Sequence, residues 1–344
     1  MPVTTVVKKP EDQAKKPEQI YVTRHGPVDR RALRAALAER ARRGQITTRD
    51  EQIMEYLREL HVMSLDQVWR LFWAHRERRR PVYRRLYRLV QYQLLARART
   101  PVRREMRAWG LEPDLIFSLG LGGWLWLKEE VNSRLVERSL NREQILHDLL
   151  TAEICTRLTE AARRRGVGWQ VTWAGDEAAR YFEPTARSDG KAGPPLLAPD
   201  GLAILRRTDE DGISTLSLFV EMDRGREAHG KPSSDWGRKV RRYDQFRAGQ
   251  WQLHPQLSDV PLFPPVLVIT HGAQRMLNLA QAIVDHRKEP VSYYLTTWQD
   301  LMAAPDLLAA RVWLMLTKDG AVLGEEAADR RALLPASAED EGDQ

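Results

Sequence analysis

Hydrophobic positions recur every three or four residues in the first third of the chain, which predicts helices with one buried face. The first such stretch follows a capping-box pattern at Thr48 and Glu51. Its apolar side chains Ile53, Leu57 and Leu60 fall on one face. The pattern therefore predicts an amphipathic helix that begins at the capping box.

Two further helices are predicted after this one. Ser64 and Gln67 repeat the capping-box pattern before the second helix. Pro81 suits the first position of the third helix, in which Leu86 and Leu89 face inward. The first third of the chain is thus expected to hold a small helical core.

Two short apolar segments, residues 94–96 and 115–119, predict a pair of strands after the third helix. The loop predicted between them is rich in arginine: Arg97, Arg99, Arg103, Arg104 and Arg107. Three helices followed by a basic hairpin are typical of a winged helix. In this variant of the helix-turn-helix, the third helix enters the major groove of DNA.

The outer face of the third helix has the chemistry that groove binding needs. It carries Arg84, Arg88 and Gln91, with Arg85 beside them. Guanidinium groups bind phosphates, and both side-chain types can reach base edges. The alternative is that the arginines form the solvated face of an ordinary helix.

The second half of the chain has a different pattern, which predicts an α/β domain with a mixed sheet covered by helices. The order is helix, three strands, helix, strand, helix, strand. The predicted segments are residues 147–162, 169–173, 202–207, 214–223, 234–248, 265–270, 274–286 and 291–296.

Charge is distributed unevenly between these two parts. Residues 1–100 hold 23 Lys and Arg against 11 Asp and Glu, whereas residues 151–344 hold 24 against 28. A basic N-terminal third favours a phosphate-backbone binder. The single cysteine, Cys155, fits a reducing cytoplasm, and no apolar run is long enough to cross a membrane.

Carboxylates cluster at one point of the predicted sheet. If the turn at residues 208–212 is a hairpin centred near residue 210, Asp200 lies opposite Val220 and next to Glu221. Glu221 and Asp223 share a face of their strand because they are two residues apart. Such oxygen ligands suit Mg²⁺ or Mn²⁺. The alternative is that the acids are surface salt-bridge partners.

The next predicted helix adds basic and phenolic groups. Lys239 and Tyr243 lie at positions i and i+4, and therefore on one face. A lysine near the carboxylates could stabilise a phosphoryl transition state, and Lys231 is a second candidate for that role. Tyr243 could position DNA or the lysine, or act as a nucleophile.

At this point the chain resembles a known family. The segments PDG (199–201), VEMDRG (220–225) and RKVRRY (238–243) resemble those of the replication-relaxation family of plasmids and integrative elements. The resemblance extends from about residue 45 to 300 and includes the winged-helix start and His147. It implies a winged helix joined to a restriction-endonuclease-like core of the PD-(D/E)xK type, which requires a divalent metal.

The resemblance also implies roles for particular residues. Asp200 would be the first acid and Glu221 the second. Where that nuclease pattern has a lysine two residues after the second acid, this chain has Asp223. We expect Lys239 to supply the amine from the following helix, with Tyr243 beside it.

The predicted organisation has four parts. These are a basic arm (1–44), a winged-helix domain (45–130), a nuclease-like domain (140–300) and an extension with an acidic tail (301–344). The expected activity is a metal-dependent nickase or relaxase that acts on double-stranded DNA at an origin of a mobile element. A relaxosome protein or coupling ATPase is left open as a partner. The alternative is a non-catalytic DNA-binding accessory protein or regulator.

Overall fold

A computed structural model of the protein provides the fold. The structure describes residues 29–73, 78–98, 102–127, 142–166, 168–175, 178–181, 196–210, 212–225, 227–229, 235–249, 251–316, 322–323 and 330–334. Arg99, Lys231, most of the predicted basic arm and the acidic end of the chain lie outside the described residues.

The N-terminal part combines helices with a small antiparallel sheet. Its elements are α1 (Arg30–Arg42), α2 (Thr48–Leu60), β1 (Val62–Ser64), α3 (Leu65–Phe72), α4 (Arg79–Gln91), β2 (Leu95–Ala98), α5 (Arg103–Ala108), β3 (Ile116–Leu119) and α6 (Leu121–Trp126). The sheet has the order β1-β3-β2. Three helices, α2 to α4, followed by an antiparallel strand pair confirm the predicted winged-helix order.

The sequence placed two helix starts slightly wrongly. The capping box of α2 is formed by Thr47 and Asp50, one residue before the predicted pair. Helix α4 begins at Arg79, so Pro81 lies inside its first turn. By contrast, the capping box of Ser64 and Gln67 is confirmed at the start of α3.

The basic segment between β2 and β3 is not the uninterrupted loop that we predicted. Arg97 lies in β2, and the next described residues form the short helix α5, which carries Arg103 and Arg104. The buried Met106 anchors this helix in the core, which explains why the segment folds back on the domain. Strand β1 was also missed, because three residues are too short for a period-two pattern.

The second part is a mixed sheet with helices packed on it. Its elements are α7 (Arg142–Arg164), β4 (Trp169–Gly175), β5 (Gly201–Asp209), β6 (Gly212–Asp223), α8 (Asp235–Ala248), β7 (Val266–Thr270), α9 (Ala273–His286), β8 (Tyr293–Thr297), α10 (Trp298–Ala303), β9 (Leu314–Leu316) and β10 (Val322–Leu323). Strands β6, β7 and β8 are parallel, whereas β4 and β5 run antiparallel on one side.

The described strands of this sheet have the order β10-β9-β8-β7-β6-β5-β4. The predicted order of helix, three strands, helix, strand, helix, strand is confirmed. Strand β9 pairs with β8, so the sheet continues beyond residue 300. The chain therefore has an α+β fold with one mixed and one antiparallel sheet.

The two parts pack against each other through α3 and α7. Arg70 of α3 lies 2.8 Å from Glu153 and 2.5 Å from Glu160, both on α7. Trp109, directly after α5, accepts a 2.6 Å hydrogen bond from the indole of Trp298. These contacts bring α5 to the end of the sheet where β7 and β8 finish.

Candidate functional site

The candidate site lies where β5 begins and β6 ends. Gly201 pairs with Val220, which places Asp200 beside Glu221. The register differs by one residue from the predicted one, in which Asp200 itself faced Val220. The backbone N–H of Met222 donates a 2.7 Å hydrogen bond to Asp200 Oδ2 and so fixes the carboxylate next to β6.

Gly201 is required by its neighbour rather than by a turn. A Cβ atom at this position would lie 2.2 Å from the ring of Trp173 on the adjacent strand β4. That distance is far below van der Waals contact, and the ring is buried. The glycine of the Pro-Asp-Gly segment therefore lets β4 approach β5 closely at the residue that follows Asp200.

Glu221 is held from the helix that covers the sheet. Lys239 Nζ donates to its Oε2 over 2.8 Å, and Tyr243 donates to its Oε1 over 2.8 Å. Both donors lie on one face of α8, one turn apart, as their spacing predicts. The Glu221 side chain is only 1% exposed, so both of its oxygens have partners in a buried setting.

His147 completes the cluster from the other side. It lies in the N-terminal part of α7, and its Nε2 is 3.2 Å from Asp200 Oδ2. Its Nδ1 is 3.4 Å from Asp148 Oδ1. The sequence left two roles open for His147, one in contact with phosphate or near the active site and one in capping or packing. The structure places it beside Asp200.

The cluster alternates acidic and basic groups, and this order sets its pKa values. Burial opposes ionisation of Asp200, but the charges of His147 and Lys239 outweigh it and lower the Asp200 pKa to about 2. Burial raises the pKa of Glu221 to about 7, against the opposing effect of Lys239. Burial disfavours the charged form of His147, yet Asp200 raises its pKa to about 10.

Tyr243 has the wrong surroundings for a nucleophile. Its side chain is buried and its hydroxyl is used by Glu221. Burial, followed by the neighbouring Glu221 charge, raises the Tyr243 pKa well above 10. These contacts fit the other predicted role, in which the phenol positions its neighbours.

Asp223 does not join Asp200 and Glu221. Arg275 Nε donates to its Oδ2 over 2.9 Å, and Thr270 Oγ1 donates to the same oxygen over 2.8 Å. Burial opposes ionisation, but the hydrogen bonds from Arg275 and Thr270 lower the Asp223 pKa. Asp223 therefore has an ion-pair partner of its own on α9.

The chemistry of the two neighbouring carboxylates can be compared with that of a divalent-cation site. Asp200 and Glu221 provide the oxygen donors that Mg²⁺ and Mn²⁺ prefer. No group of three His, Cys, Asp or Glu side chains with metal-ligand geometry occurs among the described residues. Two carboxylates suffice for Mg²⁺, which commonly takes its other ligands from water and substrate phosphates.

The predicted DNA-contacting face of α4 is split by the structure. Arg84, Arg88 and Gln91 are exposed to solvent. Arg85 instead turns inward, and its Nε donates over 2.8 Å to the buried carboxylate of Asp50. Three of the four residues are thus available to a partner, whereas the guanidinium of Arg85 is committed within the fold.

The described arginines of the basic segment lie on β2 and α5. Arg97 on β2 and both Arg103 and Arg104 on α5 are exposed. Glu105 of α5 is 3.2 Å from Arg142, which begins the helix that carries His147. Helix α5 therefore contacts the first turn of the helix that carries His147.

Comparison with known families gives one match. A family model described as Replication-relaxation matches residues 54–259, more than half of the 344 residues of the chain. The matched range runs from α2 to beyond α8 and contains the whole cluster around Glu221. Neither curated proteins nor solved structures gave a match. Within the described ranges, none of the helices has the length and apolar character needed to cross a bilayer.

Proposed function

The chain belongs to the replication-relaxation family, and on this basis we propose that it is a divalent-metal-dependent DNA nickase that acts at an origin of a plasmid or integrative element. The family description indicates a role in replication or relaxation. The nicking activity, the metal and the DNA substrate are our proposal. The proposal also allows for a relaxosome protein or a coupling ATPase as a further partner.

One observation carries the proposal: Asp200, Glu221 and Lys239 come together although they lie on three different elements. Lys239 Nζ is 2.8 Å from Glu221, and its charge also acts on Asp200. Two carboxylates can hold a divalent metal for phosphodiester hydrolysis, and a neighbouring lysine can stabilise the charge that develops on the phosphate. Bringing three charged groups together in a buried setting costs free energy, which supports a functional reason for the arrangement.

Each residue of the cluster has a role in this proposal. Asp200 and Glu221 would hold Mg²⁺ or Mn²⁺, which supplies an activated water and stabilises a leaving oxygen. Asp200 is ionised at neutral pH because its pKa is lowered to about 2. Lys239 stays protonated and can stabilise negative charge on a phosphate. His147 and Tyr243 orient the two carboxylates.

The basic surfaces account for the DNA partner. Arg84, Arg88 and Gln91 on α4 would enter the major groove, and Arg97, Arg103 and Arg104 would follow the backbone. Helix α5 packs next to the first turn of α7, where Arg142 meets Glu105. A duplex bound along these arginines would pass close to His147 and Asp200.

A second function has its own support. His147 and Lys239 already neutralise both carboxylates, and Arg275 neutralises Asp223. Acids that are compensated in this way need no metal ion to be stable. This arrangement favours a nuclease fold that binds DNA without cutting it, as an accessory protein or regulator.

Replacement of Asp200 by Asn separates the two functions. The substitution keeps the shape of the side chain and the acceptor for the Met222 N–H but removes the charge. A nickase loses most of its nicking activity and keeps its DNA affinity. If neither protein nicks supercoiled DNA under any metal condition, the accessory function is favoured. Equal nicking by both proteins would contradict the role of Asp200.

A further inference from the structure

Lys239 is shared between two carboxylates of very different exposure. Its Nζ lies 2.8 Å from Glu221, which is 1% exposed, and 3.3 Å from Glu227 Oε2, whose side chain is 39% exposed. Release of the Lys239–Glu221 contact would leave a buried Glu221 charge without its partner, which is costly. The Glu227 side chain is much more exposed than that of Glu221, so the contact with Glu227 is the one that a ligand could replace.

The position of Glu227 is set by a clamp on the loop after β6. The guanidinium of Arg275 donates to the backbone carbonyl of Glu227 and lies 2.5 Å from Nδ1 of His229. The same group pairs with Asp223 at the end of β6. Since Arg275 belongs to the first turn of α9, it ties the loop to the sheet and holds Glu227 beside Lys239.

Glu227 is well placed but poorly satisfied. Its Oε2 is shielded from solvent, and no hydrogen-bond donor of suitable geometry reaches it among the described residues. Among the described residues, the cation paired with it is Lys239, at a distance longer than the Lys239–Glu221 contact. A buried oxygen without a hydrogen-bond donor costs free energy, so Glu227 is displaced from Lys239 more readily than Glu221, which accepts two short hydrogen bonds.

We infer that Glu227 occupies the position on Lys239 at which a phosphate oxygen of the nucleic acid binds, and that an incoming phosphate displaces it. This inference rests on the proposed function, since it assigns the phosphate subsite of the same cluster. Carboxylate and phosphate oxygens are both anionic acceptors for a lysine amine. Glu227 therefore acts as an internal competitor that occupies this side of Lys239 until DNA arrives.

The test compares Glu227→Gln with a matched charge change. Asp209→Asn removes one negative charge from a partly exposed carboxylate, paired with Arg207 at 2.9 Å, at the opposite end of β5. Binding of a fluorescent DNA duplex is measured in EDTA, so that neither metal nor nicking contributes. Glu227→Gln is expected to tighten binding by about two- to fivefold, the range of one weak ion pair. Asp209→Asn is expected to have no such effect.

A double-mutant comparison assigns the effect to Lys239. In a Lys239→Met background, the gain from Glu227→Gln is expected to disappear. A gain that persists there, or an equal gain from Asp209→Asn, would show a general charge effect and overturn the inference. If Lys239→Met does not fold, the Glu227→Gln and Asp209→Asn comparison decides alone.

A second probe separates this inference from the proposed function. Inorganic phosphate is titrated while the thermal midpoint is followed, because a ligand of the folded state raises that midpoint. Glu227→Gln should reach half of the shift at a lower phosphate concentration than wild type, and Asp209→Asn should not. That result without DNA binding would contradict the proposed function alone. Equal responses of all three proteins would overturn the subsite.

Discussion

Lys239 of α8 donates a 2.8 Å hydrogen bond to Glu221 of β6, across 18 residues of sequence. The amine thus reaches Glu221 from the covering helix. At the strand position where the nuclease pattern has its lysine, the chain has Asp223, which Arg275 neutralises. In the proposed nickase, Lys239 would replace that lysine from α8.

Adjacent arginines on α4 should behave in opposite ways. Arg85→Ala leaves the buried Asp50 carboxylate without its cation, because Asp50 is 1% exposed. We expect the free energy of unfolding to fall by about 2–4 kcal/mol. Arg84→Ala and Arg88→Ala should each change it by less than about 0.5 kcal/mol, since both side chains are exposed. Urea denaturation measures both effects.

The same variants test the DNA-contacting face. Arg84→Ala combined with Arg88→Ala should weaken duplex binding and reduce the slope of log affinity against log salt by about 1–2, one unit for each lost phosphate contact. Fluorescence anisotropy at several salt concentrations gives this slope. A slope equal to that of wild type would rule out phosphate contacts by these two side chains.

Gly201→Ala should damage the site through packing. Its Cβ would meet the ring of Trp173 at 2.2 Å, so β4 and β5 must move apart next to Asp200. We expect the free energy of unfolding to fall by about 1–3 kcal/mol. We also expect the variant to lose nicking activity under conditions in which it is still folded. Gly212→Ala is the control. A Cβ at Gly212 would meet open space, but the φ of +127° strains an alanine there, so this variant tests backbone strain far from Asp200. Normal stability of Gly201→Ala would contradict the observed packing.

The His147–Asp200 pair predicts a pH dependence of stability. The folded-state pKa of His147 is raised from its ordinary value of 6.5 to about 10. Its contribution is therefore complete below pH 6.5 and is lost as the pH rises through 10. The difference in unfolding free energy between wild type and His147→Gln should shrink by about 1–3 kcal/mol over this interval.

At acid pH, the contribution of Asp200 to the unfolding free energy changes with pH in the opposite direction. The Asp200 pKa is lowered from 3.8 to about 2, so its contribution is present above pH 3.8 and is lost as the pH falls through 2. Asp200→Asn should remove this acid limb. A difference between wild type and His147→Gln that does not vary between pH 6.5 and 10 would mean that the imidazole is not paired in solution.

Much of the fold follows from local patterns. Apolar periodicity gave α2 to α4 and the order of elements from α7 to β8, because each has one buried face of regular spacing. The i and i+4 spacing of Lys239 and Tyr243 was enough to place them on one face. Alternation along β6 likewise placed Glu221 and Asp223 on a common face.

Other features depend on contacts that no local pattern encodes. The hairpin register was wrong by one residue, since the turn near residue 210 fixes it only approximately. The commitment of Arg85 to Asp50 required knowledge of how α2 packs on α4. The pairing of His147 with Asp200 joins segments 53 residues apart in sequence, and Arg275 reaches Asp223 across 52 residues.

The central claim is tested most directly by a nicking assay. Supercoiled plasmid that carries the element's own origin is incubated with the protein in Mg²⁺ or Mn²⁺, and in EDTA. The proposed nickase should give open-circular product that requires metal and is lost in Glu221→Gln, while that variant binds the duplex at least as tightly as wild type. Metal-independent nicking, or equal product from Glu221→Gln, would contradict it. Tight binding without nicking under any of these conditions would instead favour the accessory function.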